Sequence, residues 1–310
     1  MSFSWASMWE MLWKNLANQI GPSGLFFPPY IISAVLIGVY WLSRTEKLTW
    51  RKSWSVAFSK QLWLASSWRQ DLGLNLLNLV FFKFASRWLN ILAFGGAFGL
   101  VYVKNSLPLV STFPIFAEAI LVTGLIMLAI DFASYWSHRI LHIRAMWWIH
   151  SVHHGAEQLT PLTTHRQHPL EPIFLRGCRG AAAGLTLGIL YRIFPNQTPI
   201  VTVAEMGVGF FIYMFTVHLH HFAIPVCFPR VLRWVLMSPH CHHLHHSTNP
   251  RHHGRNFGVI FSVWDRCFGT YHDEPVTRGE LTFGHSASQS LANDRPQQRP
   301  ASGSTISLPR

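Results

Sequence analysis

The sequence predicts an all-α, multi-pass transmembrane helical bundle with a cytoplasmic helical cap that holds a histidine-rich dimetal site. Three observations carry this expectation. The 310 residues are 49% hydrophobic and only 12% charged, whereas a soluble domain carries about 25% charged residues. Apolar runs recur from residue 25 to residue 217. All 19 histidines fall at or after His138, in tight groups beside those runs.

The charge pattern narrows the partners. A net charge of +12 can answer nucleic acid or anionic lipid. Here the basic residues flank apolar runs, as at Arg44, Lys47, Arg51 and Lys52. They read as juxtamembrane charge facing anionic headgroups, so no nucleic acid partner is expected. The cysteines, Cys178, Cys227, Cys241 and Cys267, form no C-x-x-C pair, and neither a zinc ribbon nor a disulfide framework is expected. Cys241 sits inside a histidine group as a soft-ligand candidate.

Along the chain, residues 1–20 carry Trp5, Met8, Trp9, Leu12, Trp13 and Leu16 without an apolar core. This predicts an interfacial amphipathic helix rather than a cleaved signal. Leu25–Ser43 has no charge and is long enough to cross ~30 Å of hydrocarbon. Residues 44–71 are polar, basic and Trp-rich, a surface segment. Leu72–Val103 is apolar but interrupted by Lys83 and Arg87, which fits one long tilted helix or two shorter ones. Pro108 and Pro114 punctuate the loop that follows. Ile115–Ser137 is a further span carrying Asp131. Gly180–Tyr191 is too short to span comfortably, and with Pro199–Val217 it predicts a helical hairpin. The Ser-, Pro-, Gln- and Arg-rich residues 286–310 read as a disordered tail. The expected divisions are 1–114 (interfacial helix and first spans), 115–275 (catalytic region) and 276–310 (tail). The densest Lys/Arg follows the first span, so that side is cytoplasmic by the positive-inside rule. Counting spans from there places every histidine group on the cytoplasmic face.

The histidines carry the chemistry. His138 and His142 form H-x-x-x-H; His150, His153 and His154 form H-x-x-H-H; His242, His245 and His246 form a second H-x-x-H-H. Positions i, i+3 and i+4 share one helix face, so each box aims imidazoles at one point. Neutral imidazole suits Fe, Zn, Cu and Ni. This many ligands exceeds the need of one ion and points to two. His218, His220 and His221 end the last apolar run, and His165 and His168 lie in THRQHPLE. Asp131 lies two turns before His138 and could accept an N–H from a ligand. Asp131 and Glu205 are carboxylates in or beside apolar segments, which are costly and read as functional by default. A lone H-x-x-x-H is usually a solvated pair, but three boxes beside apolar runs are not. His252, His253, His272 and His285 lie outside the boxes and read as solvated or supporting groups.

The run DFASYWSHRILH, WWIHSVHH, HRQHPLE, SPHCHHLHH and RNFGVIFSVWDRCFGTY resembles the fatty acid hydroxylase and sterol desaturase superfamily over about residues 115–275. The resemblance implies two iron ions ligated by His138, His142, His150, His153, His154, His242, His245 and His246. It implies a further ligand before the third box, for which His218 or His221 is favoured, and His168 as an additional candidate. Asn256 and Asp265, from the closing run, join Asp131 as candidates to orient the ligands. The implied reaction uses O2 to hydroxylate or desaturate a membrane lipid in lipid biosynthesis. Electrons would come from a separate donor of cytochrome b5, ferredoxin or reductase type, since no such motif occurs in the sequence. Sterol, fatty acyl chain, carotenoid, ether lipid and aminolipid remain open as substrates, as does the oligomeric state.

Two other readings compete. A zinc-dependent membrane hydrolase would need a carboxylate base beside the metal, as in H-E-x-x-H; only Glu157 and Glu171 are near. A metal carrier or transporter would place ligands near the membrane midplane, whereas these boxes sit at span ends.

Overall fold

The computed structural model describes residues 27–63, 66–101, 114–194, 201–203, 206–276 and 279–284. The expected interfacial helix at 1–20, the tail at 286–310, Glu205 and His285 lie outside these residues. The described chain is helical apart from one short pair of strands.

Helix α1, Pro28–Thr45, opens on two prolines at its first positions, where a missing N–H leaves no bond unmade. Helix α2, Trp50–Ala57, is capped by the Thr49 hydroxyl, which accepts from the Lys52 amide at 3.4 Å. After the single turn α3, Lys60–Trp63, comes α4, Ser66–Val101. Its 36 residues form one continuous helix of ~54 Å, which decides between the one- and two-helix alternatives. Helix α5, Ile115–Leu141, is followed by α6, Arg144–His154, and a 3-10 turn at Pro161–His165. Helix α7 is Leu170–Ile193. Strands β1, Thr202–Val203, and β2, Met206–Gly207, pair antiparallel just before α8, Val208–His220. The C-terminal part holds α9, Arg230–Val235, α10, Pro239–His246, a 3-10 turn at Pro250–His252 and α11, Val263–Cys267.

Among the described residues, two helices, α5 and α7, are long and apolar enough to cross a bilayer, and only 28% of the most apolar window of each is buried. The core helix of a soluble protein would be mostly covered. Ile120, Leu121, Leu125 and Leu128 of α5 and Leu185 and Ile189 of α7 are exposed instead, an apolar surface of the kind lipid covers. The first arm of the expected hairpin is longer than the sequence suggests. The apolar segment at 180–191 starts ten residues earlier, at Leu170, so it does reach span length. The added residues include Arg176 and Arg179. In the structure Arg179 donates to the Ser134 hydroxyl at 2.8 Å and the Tyr213 hydroxyl at 3.1 Å, so α7 continues through it.

Helix α7 packs along α4 and α5, while α8 packs against α1. The α4–α7 contact is close because Gly184 and Gly188 face the α4 backbone. A Cβ at Gly184 would collide with the Phe94 carbonyl, and one at Gly188 would lie 3.1 Å from the Phe98 oxygen. Small residues spaced by a turn let helix backbones approach in this way. On the other side of the bundle, Ala34, Val35, Val39 and Leu42 of α1 pack on Ala57, Leu219, Phe222 and Ile224. This core ties α1 to the segment that delivers the end of α8.

Gly184→Leu should separate α4 from α7 and destabilise the protein by about 1–3 kcal/mol, the usual cost of overpacking. Thermal denaturation in detergent would read this as a lowered midpoint; an unchanged midpoint would show that the close approach contributes nothing.

Candidate metal centre

Four helix ends supply the histidines. The last turn of α5 presents His138, and His142 caps that helix four residues on. Helix α6 presents His150, His153 and His154. Helix α10 presents His242, His245 and His246, and His221 caps α8. Their ligand atoms form two compact groups, His138/His142/His150/His154/His245 and His153/His221/His242/His246, each with atoms within 4.8 Å of one another.

The division follows helix geometry. His150 and His154, a turn apart, enter the first group, while His153 turns into the second. In α10 the roles reverse: His242 and His246 enter the second group and His245 the first. Adjacent residues on a helix point about 100° apart, so each H-H dipeptide straddles the two groups. The groups touch: the His154 and His246 rings stack with centroids 4.4 Å apart, and those of His153 and His246 are 4.7 Å apart.

The ring nitrogens show what the groups can hold. His153 Nδ1 donates to the Arg166 carbonyl at 3.2 Å, and His221 Nδ1 to the Val217 carbonyl at 2.8 Å. A carbonyl can only accept, so in a neutral ring the proton sits on Nδ1 and Nε2 carries a lone pair. Yet the Nε2 atoms of His153 and His221 are 3.2 Å apart. His221 Nε2 is also 3.0 Å from His242 Nε2, which is 3.1 Å from His246 Nε2. The first group repeats the pattern. His138 Nδ1 donates to the Phe257 carbonyl at 2.9 Å, His150 Nδ1 faces the Glu171 carboxylate at 3.0 Å, and their Nε2 atoms are 3.1 Å apart. His245 Nδ1 donates to the Arg255 carbonyl at 2.7 Å. The Nε2 atoms of His142, His154 and His245 are buried without a hydrogen-bond partner.

Lone pairs pressed together in a buried site repel unless a cation lies between them. Protonation does not supply that cation. Burial, helped by neighbouring imidazoles, holds His142, His150, His153, His154, His242, His245 and His246 well below the ordinary histidine range. Burial pushes His221 down to about 3. Neutral, Nδ1-anchored imidazoles with inward Nε2 lone pairs are the donor set of a transition-metal site. Two nitrogens ~2.1 Å from one ion and at right angles would be ~3 Å apart, which is the spacing seen. The residues therefore fit a pair of metal ions.

The anchors are themselves braced. Asp131 of α5 does not accept an N–H from a ligand histidine, contrary to the expectation from sequence. Its Oδ1 accepts from the Ile260 amide at 2.9 Å and its Oδ2 from the Phe261 amide at 3.1 Å and the Trp264 indole at 2.9 Å. Asp265 accepts from the amides of Phe257 at 2.8 Å and Gly258 at 2.7 Å, and from the Thr270 hydroxyl at 2.6 Å. Asn256, in the left-handed region at φ 56°, grips His272 from both sides with its amide and carbonyl, at 2.8 Å each. Together these bonds fix the loop whose Arg255 and Phe257 carbonyls orient His245 and His138. On the opposite side, buried Arg166 pairs with Asp71 of α4 at 2.9 Å and donates to the Val152 carbonyl at 2.8 Å. That pair holds the carbonyl to which His153 donates.

The remaining expected residues lie apart. His218 donates through Nδ1 to the Met214 carbonyl at 2.7 Å, and His220 through Nε2 to the Met237 carbonyl at 3.0 Å; of the three candidates at the end of α8, His221 alone joins a group. His168 accepts from the Leu170 amide at 3.3 Å and packs on Trp148, outside both groups. The sequence reading passed over Asp71 and Arg166 and treated Glu171 only as a base for a hydrolase. Glu171 follows His168 in HPLE, so that motif did mark the region, though the carboxylate and not the imidazole reaches the site.

The sequence model of the fatty acid hydroxylase family matches residues 123–270. Among curated relatives, a Delta(7)-sterol 5(6)-desaturase from Gibberella zeae is 32% identical over 148 residues, 47% of this chain and 36% of that protein. An alkylglycerol monooxygenase from Xenopus tropicalis is 30% identical over 149 residues, 47% of this chain and 30% of that protein. A lathosterol oxidase from Mus musculus is 28% identical over 142 residues, 46% of this chain and 42% of that protein. The alignments thus cover less than half the length of these relatives. No solved structure matches.

Asp71→Ala would leave the Arg166 guanidinium, 8% exposed, buried without its partner. Such a loss costs about 3–5 kcal/mol, and it should also loosen His153. Denaturation of the detergent-solubilised variant should show a large loss of stability; a loss below about 1 kcal/mol, the surface-pair range, would mean that the pair does not brace the site.

Proposed function

We propose, from the match of residues 123–270 to the fatty acid hydroxylase family, that this chain is an integral membrane di-iron oxygenase. It uses O2 to hydroxylate or desaturate a membrane lipid. The observation that carries the reading is the convergence of inward Nε2 lone pairs in two adjoining groups, as at His153 and His221, 3.2 Å apart with both protons turned outward. The proposed ligands are His138, His142, His150, His154 and His245 for one ion, and His153, His221, His242 and His246 for the other. Iron is assigned from the family, because imidazole alone also accepts zinc or copper.

When bound, the two irons would supply O2 reduction and removal of hydrogen from an unactivated C–H bond. The chain's residues do the rest. Nδ1 anchors fix His138, His150, His153, His221 and His245 before metal arrives, which limits the reorganisation that accompanies binding. The 5-and-4 division leaves more room for exogenous ligands at the second group than at the first. Burial keeps the imidazoles neutral and the centre dry. An apolar cavity of about 180 Å³ lies between α1 and α8, lined by Ala34, Ile37, Ile212, Phe215 and Met237 with His220 on its wall. His220 stacks on His242, ring centroids 4.9 Å apart. This cavity is the proposed seat for hydrocarbon entering from the bilayer. A larger one of about 610 Å³, bordered by Glu46 and Glu157, has no grouped histidine on its wall.

The sterol desaturases and alkylglycerol monooxygenase among the relatives favour a sterol or alkylglycerol-like lipid as substrate. The histidine end is assigned to the cytoplasmic face by the Lys/Arg excess after α1, and the electrons to a separate donor. Glu171 is hydrogen-bonded to His150 Nδ1, the place of an orienting group and not of a hydrolytic base.

Expression in a lipid-rich host under 18O2 tests this. A lipid gaining one 18O atom, or losing two hydrogens, should accumulate with the intact protein and not with His246→Ala. Ile37→Trp, which fills the cavity, should lower turnover without lowering iron content. A lipid profile identical to that of the empty host, with the donor supplied, would contradict the oxygenase reading.

A further inference from the structure

Among the described residues, two more groups of metal-ligating side chains lie outside the dimetal centre: His240/Cys241/Asp273 and His252/His272/Glu274. The first is already occupied by protein charge. Arg233 ion-pairs with Asp273 at 2.5 Å, and a guanidinium there opposes a second cation. The second group is different. The Glu274 carboxylate lies between two imidazoles, with Oε1 2.6 Å from His252 Nε2 and Oε2 3.3 Å from His272 Nε2. The three ligand atoms lie within 4.8 Å of one another, close enough for small side-chain rotations to bring them to ~2.0–2.2 Å from one ion.

The backbone prepares this arrangement. His252 ends the 3-10 turn Pro250–His252, which Asn249 caps by accepting the Arg251 amide at 3.1 Å. The His252 side chain is 1% exposed, and its Nδ1 is buried without a hydrogen-bond partner. Asn256 fixes the main chain of His272. Glu274, 37% exposed, and His272, 30% exposed, form the open side of the group. Two imidazoles, one carboxylate and one solvent-facing position make a donor set suited to zinc.

We propose that His252, His272 and Glu274 bind a third, mononuclear divalent ion of the zinc class, separate from the dimetal centre. Its position gives it a role. It closes the excursion between residues 252 and 272, which contains Arg255 and Phe257, whose carbonyls accept from the Nδ1 atoms of His245 and His138. The ion is therefore a clasp on the loop that aims two ligands of the first group. Such a site does not depend on the identity of the metals in the dimetal centre, so the two assignments can fail separately.

The test uses full-length protein in detergent, stripped with chelator and titrated with Zn2+, with bound metal counted by mass spectrometry. Intact protein should bind one equivalent more than Glu274→Gln or His272→Ala, both altered on the exposed side of the group. Zinc should still raise the thermal midpoint of His153→Ala, whose clasp is intact, more than that of His153→Ala combined with Glu274→Gln. Equal metal content in the intact protein and Glu274→Gln, with equal zinc-induced shifts in the two His153→Ala backgrounds, would overturn the third site while leaving the dimetal reading untouched.

Discussion

The structure is organised around a repulsion. Nine imidazoles in two groups turn their Nε2 lone pairs toward one another in a buried space, and backbone carbonyls hold several of their protons on the far side. Burying a polar group without a partner costs ~1–3 kcal/mol, and the Nε2 atoms of His142, His154 and His245 alone incur that cost three times. A protein tolerates such an arrangement when a cation recovers it. The neutral state of the rings, their orientation and the closeness of the two groups all follow from that constraint.

Glu171 apart, which bonds His150 directly, keeping the rings in place falls to carboxylates that do not touch them. Asp131 reaches from α5 to the 260–264 segment, and Asp265 closes the turn around Phe257. Asp71 reaches from α4 to Arg166. Each acts at one remove, through a loop carbonyl that accepts a histidine proton. Tyr135 extends the bracing: its hydroxyl lies 2.9 Å from Thr270 and accepts from Arg139 at 3.0 Å. This explains how a carboxylate can be placed in an apolar helix. At Asp131, two backbone amides and an indole N–H offset the loss of water.

Much of the centre was legible because helical spacing is local. The boxes at 138–142, 150–154 and 242–246 follow from side-chain period alone, and the structure brings all eight of those histidines together with His221. The division into five and four was not legible, since it depends on how α6 and α10 face each other. The choice of His221 over His218 turned on where α8 ends, a capping detail no periodicity records. Arg166 and Asp71 are 95 residues apart, and only the tertiary fold joins them. The extent of α7 was misjudged because Arg176 and Arg179 look like the end of an apolar run, whereas Ser134 and Tyr213 supply partners for Arg179 inside the bundle.

The central claim is that the two histidine groups hold a pair of iron ions, and metal analysis tests it most directly. Protein expressed with ample iron and purified in detergent should carry about two irons per chain, as two imidazole-rich sites of this size require. His153→Ala and His245→Ala, one from each group, should each lose most of that iron. Zinc in place of iron at this centre, or iron content far below stoichiometry and unchanged in both variants, would contradict the account.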